Sequence, residues 1–69
     1  MLPTELERLT GLTAREIRGS RLARYVLVLD YGYAWVPAES SRTEEAIKRR
    51  RRQYSQWPSD KVRIIDQGE

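Results

Sequence analysis

Residues 22–29 read Leu-Ala-Arg-Tyr-Val-Leu-Val-Leu, an apolar run with no polar residue interleaved from 25 to 29. It is too short for a helix and rich in β-branched and aromatic side chains, which marks it as a strand. A strand apolar on both faces must be covered on both faces, so it belongs in the middle of a sheet. The chain has 69 residues, and a domain of that size buries only about 60% of the surface its unfolded chain exposes. One central strand, two neighbours and a thin helical cover on each side is about all such a chain can build.

The neighbours follow from turn chemistry. Asp30-Tyr31-Gly32 leads into Tyr33-Ala34-Trp35-Val36 before Pro37. A short loop ending in Gly suits a type I turn closed by a left-handed bulge, so the segment reads as a hairpin. Pro37 cannot donate to a ladder and is expected to end the second strand. Val62-Arg63-Ile64-Ile65 makes a short third strand. A right-handed crossover through the intervening helix makes strands two and three parallel to each other. With strand three on the free side of strand one, the expected fold is α+β, a small three-stranded mixed sheet of order 2-1-3.

Helix starts are marked by the Thr-x-x-Glu or Ser-x-x-Glu spacing of a capping box, in which each partner satisfies the other's orphan donor. It occurs at Thr4–Glu7, Thr13–Glu16 and Ser41–Glu44. The first two open a short N-terminal helical hairpin, with Gly11 and Gly19 as left-handed terminators and Leu6, Leu9, Leu12 and Ile17 as its apolar contacts. Segment 6–18 has the turn glycine of a helix-turn-helix, but Glu7 stands where that motif wants a small residue. A plain hairpin packed on the sheet is the simpler account. The third box opens the main helix, expected to reach about Gln56 because the residue before Pro58 is pushed out of helical geometry. On its wheel Thr43, Ala46, Ile47, Tyr54 and Trp57 share one side, and Lys48, Arg49, Arg52 and Gln56 the other. Arg50 falls in the apolar sector, where its stem should lie on the sheet with its head turned outward. The whole is one domain over 1–69: helical segment 1–20, ββαβ core 21–66 and tail 67–69.

Composition narrows the chemistry. Neither Cys nor His is present, which excludes disulfides, zinc–thiolate sites, a thiol nucleophile and the commonest general base. No Gly-rich phosphate loop, Gly-x-Ser-x-Gly or Ser-x-x-Lys occurs. Asp30 and Asp66 are expected at opposite ends of the sheet, too far apart to work as an acid–base or two-metal pair. No enzyme activity, cofactor or metal is expected. No apolar run approaches a membrane span and residues 1–5 lack signal-peptide character, so a cytoplasmic protein without membrane contact is expected.

The charge is localised. Residues 42–54 carry six basic side chains against two acidic ones, while the rest of the chain has seven against eight. The net excess therefore belongs to one helix. Two readings compete. The bland one is a solvated face with internal pairing, because Glu44 precedes Lys48 and Glu45 precedes Arg49 by four residues. The functional one is a cationic face for DNA or RNA phosphates, led by Lys48, Arg49, Arg51 and Arg52. Tyr31, Tyr33 and Trp35 alternate and would share a face in a regular strand. Either they fill the thin core, or Tyr33 and Trp35 stack bases or anchor a partner. The leading expectation is a small nucleic-acid-associated regulatory module. The alternative is a protein–protein factor, an inhibitor or adaptor of the kind cells and viruses both use, docking the same surface on an acidic partner. Free edges on strands two and three also leave room for a homodimer.

Overall fold

A computed structural model describes residues 4–68. The order is α1 (Glu5–Thr10), α2 (Ala14–Gly19), β1 (Tyr25–Asp30), β2 (Trp35–Ser41), α3 (Glu44–Arg51), two 3-10 turns (Arg52–Tyr54 and Ser59–Lys61) and β3 (Val62–Asp66). The sheet order is β2-β1-β3, with the apolar run at the centre. Strands β2 and β3 run in the same direction, as a crossover requires. Each neighbours only β1, however, and both ladders are antiparallel. The sheet is therefore antiparallel rather than mixed. Among the described residues no helix is long and apolar enough to cross a membrane.

Period-two alternation along β1 splits the core into two layers. Val26 and Val28 face one way and pack with Leu6 of α1, Ile17 of α2 and Ile65 of β3. Leu27 and Leu29 face the other way and pack with Ile47 of α3 and Val62. All four β1 side chains are buried. The fold is thus a sheet between the N-terminal hairpin and α3.

Strand β2 differs from the sequence-based expectation at both ends. Residues 31–34 form the loop, with Tyr31 N–H donating to the Ala34 carbonyl at 3.1 Å and Gly32 N–H to Asp30 Oδ1 at 2.8 Å. Gly32 takes φ 94°, a region that suits glycine. The strand begins only at Trp35 and runs through Pro37 to Ser41. Pro37 does not stop it, because β2 is an edge strand and its register shifts there. Leu27 faces Glu39 and Val28 faces Pro37, leaving Ala38 as the extra residue of a bulge.

The helix ends sort the capping signals. Thr4 and Thr13 make complete capping boxes with Glu7 and Glu16. The bond from the Thr13 backbone holds the Glu16 carboxyl below its ordinary range. Gly11 ends α1 at φ 76°. Gly19 does not terminate α2 in the same way: Ser20 is the cap, and the left-handed residue is Arg21 at φ 57°. The Ser20 and Arg21 N–H groups bond to the carbonyls of Glu16 and Arg18, at 3.0 and 3.2 Å, which satisfies the last turn two residues later than Gly19 suggested. The third box is not formed. Ser41 still belongs to β2, and Thr43 caps α3 by accepting from Ala46 N–H at 3.2 Å. The α-helix stops at Arg51 rather than near Gln56, passing into a 3-10 turn. Gln67 continues the β3 path, donating to the carbonyls of Arg24 and Ala23 at 2.9 and 2.7 Å.

Candidate functional site

Helix α3 is held over the sheet on its inner side and open on its outer side. Ile47 is its buried anchor. Arg50 reaches across the β2 edge, its guanidinium donating to Glu39 at 3.0 Å and to the Ser41 hydroxyl at 3.2 Å. The Tyr54 phenol donates to the other Glu39 oxygen at 2.7 Å. Glu39 faces α3 because the register sets it opposite Leu27. That carboxylate therefore fastens both the helix, through Arg50, and the 3-10 turn after it, through Tyr54. It also raises the Tyr54 pKa, mainly through the hydrogen bond and secondarily through desolvation.

The cations divide accordingly. Arg50 is committed to Glu39. Arg51 is half-buried and its guanidinium donates to the Tyr54 carbonyl at 3.4 Å, so it serves the helix end rather than the open face. Lys48 pairs with Glu44 at 3.4 Å across one turn, with both side chains more than 60% exposed. Such a pair contributes little in water. The expected Glu45–Arg49 pair is not closed. Among the described residues Arg49 and Arg52 have no ion-pair partner. Lys48, Arg49 and Arg52, with Glu45, line an open groove on the outer side of α3. Of the four basic residues singled out by composition, three line that groove and Arg51 does not.

The aromatic candidates separate. Tyr31 and Tyr33 lie in the hairpin loop, so strand alternation does not apply to them. Trp35 is half-buried against the Leu6/Val26/Val28 layer, with the Arg63 guanidinium 5.9 Å from its ring centroid. It is on the opposite side of the sheet from α3 and shares no surface with the groove. Tyr33 is 85% exposed and Tyr31 49%. Tyr31 meets Trp57 edge-on, with centroids 5.2 Å apart and planes at 86°. Trp57 and Tyr54 pack on the α3 layer as half-buried core. The Tyr31–Trp57 contact is the aromatic link to the α3 layer that sequence spacing missed. It joins residues 26 positions apart, and no local pattern encodes it.

The carboxylates are dispersed. Asp66 pairs with Arg24 in a two-pronged bond of 2.8 and 3.1 Å, which together with Gly68 N–H holds its carboxyl below the ordinary range. Asp66 lies opposite Tyr25 and Asp30 opposite Trp35, at the two ends of β1. Among the described residues no three Asp or Glu side chains gather where a metal ion could sit. No family model, curated protein or solved structure matches the chain.

Proposed function

We propose that this chain is a small cytoplasmic binding and regulatory module that docks on nucleic acid through the outer face of α3. The observation that carries the reading is the division of labour among the helix cations. Arg50 and Arg51 are spent on the fold, whereas among the described residues Arg49 and Arg52 have no ion-pair partner and line an open groove with Lys48. Like charges held together on a fixed helix repel one another, and phosphates relieve that repulsion while releasing condensed counterions. The position of the run at the helix C-terminus is itself favourable to cations, which lets the fold carry it.

Three phosphate contacts imply that log K falls with log salt at a slope of about −2 to −3. Fluorescence anisotropy with oligonucleotides across a salt series measures that slope. Charge neutralisation at Arg49 and Arg52 together should flatten it by about two contacts' worth. Absence of salt-dependent binding at low ionic strength would eliminate the reading.

A second reading has one observation in its favour. Tyr31 and Tyr33 are exposed in the hairpin loop with their rings 6.5 Å apart, and Val36 is exposed on the strand that leaves it, apolar features suited to a protein surface. On that reading the same side docks an acidic protein, and charge reversal at Arg49 and Arg52 releases a partner that co-purifies with the wild-type chain. Recovery of partnerless protein from native cells counts against it.

A further inference from the structure

We infer that the nucleic acid held on the α3 face is single-stranded, with one of its bases stacked on Tyr33. This rests on the nucleic-acid reading above and specifies its ligand. A thin core has use for every large side chain, yet Tyr33 leaves 85% of its surface in water. Its ring is not isolated. It lies 6.5 Å from Tyr31 at an interplanar angle of 31°, and Tyr31 is held by its edge-on contact with Trp57. Trp57 is fixed in turn by packing on the Leu27/Leu29/Ile47 layer and by its backbone N–H, which donates to the Tyr54 carbonyl at 3.0 Å. A short aromatic series, Trp57–Tyr31–Tyr33, therefore leads from the segment that follows α3 and its 3-10 turn to an exposed ring.

The side of the sheet matters. Tyr31 reaches Trp57 on the side of the sheet that α3 covers, and the outer surface of that same helix carries the Arg49 and Arg52 groove. A cationic helix face and an exposed aromatic ring on one side of a sheet supply the two parts of a single-strand platform, one for the backbone and one for a base. A duplex offers the phosphates but keeps its base faces stacked on each other, so it cannot use the ring. Trp35 does not take this role, because it is packed on the other layer beneath Arg63.

The test uses the full chain with a labelled oligothymidine 15-mer and with a blunt duplex of equal length, by anisotropy at low ionic strength. The single strand should bind more tightly. Tyr33→Ala should weaken single-strand binding about five- to hundredfold while leaving duplex binding and the salt slope unchanged, and Tyr33→Phe should retain the affinity. A loop residue this exposed is not needed for folding, and coincident thermal melts check that. If Tyr33→Ala binds the single strand like wild type, or weakens both ligands alike, the stacking inference falls while the basic-face reading stands. If neither nucleic acid binds, both fall.

Discussion

Glu39 shows how much one partly buried carboxylate can organise in a chain this small. Its two oxygens accept from Arg50 and from Tyr54, at 3.0 and 2.7 Å, so β2, α3 and the following turn meet at one residue. The Tyr54 pKa is raised above 10.0, first by the bond to Glu39 and then by desolvation. The folded protein therefore holds the phenolic proton more tightly than the unfolded chain. The resulting stability is complete below pH ~10 and is lost as pH rises through the higher folded value. Tyr54→Phe lacks that contribution at every pH. The gap between wild type and Tyr54→Phe in denaturant midpoint should be open at pH 7 and close above pH 10. A gap of constant size across that range would show that the phenolic proton is not what the bond depends on. Asp66 has the opposite sign. Arg24 lowers its pKa, so its contribution is present above the ordinary carboxyl range and fades as pH falls through the lower folded value. Both side chains of that pair are nearly half exposed, which keeps the effect small.

At the scale of elements, identical sequence signals had different outcomes because neighbouring elements competed for the same residues. The same box spacing precedes each of the three helices in sequence, but β2 extends far enough to pair Ser41 with Tyr25. That leaves Thr43 as the α3 cap with Ala46 at the reciprocating position, and Ala46 has no side chain to return the bond. Thr43→Ala should cost about 1 kcal/mol, or roughly 4–8 °C in melting temperature for a domain of this size. Ser41→Ala should cost clearly less, since it removes only a partly exposed bond to Arg50. Thermal melts of the two variants decide the matter, and the reverse order would place the cap at Ser41. The sheet order was legible because the 25–29 run admits only the central position, and the covering of both faces followed from it. Where β2 begins was not legible, because the alternation of Tyr31, Tyr33 and Trp35 looks the same in a loop as in a strand. The candidate site divides in the same way. Composition located the cationic helix, but Glu39 and the Tyr54 carbonyl decide which arginines remain open. The first of these sits on a different element, and the 3-10 geometry that presents the second has no local signature.

For the whole molecule, the decisive fact is that β1 is buried from both sides by helices that are far apart in sequence. The N-terminal hairpin supplies Leu6 and Ile17 over Val26, Val28 and Ile65, and α3 supplies Ile47 over Leu27 and Leu29. Segment 21–66 has the look of a self-contained ββαβ unit in sequence, yet by itself it leaves one whole apolar layer open. Exposing three buried aliphatic side chains costs roughly 5–9 kcal/mol, at about 1.5–3 kcal/mol each. The net stability expected of 69 residues is only about 3–10 kcal/mol. Release of the first 20 residues from ordering offsets part of the loss, but the freed layer would still seek a partner. Removing residues 1–20 should therefore yield a chain without a cooperative melt, prone to self-association. Leu6→Ala in the intact chain should keep the fold at a cost of about 2–5 kcal/mol. Circular dichroism melts and sedimentation of the two proteins compare them directly. A truncated chain that remains monomeric and melts cooperatively near the wild-type temperature would mean that the hairpin layer contributes little. The short helices would then be a covering rather than half of the core.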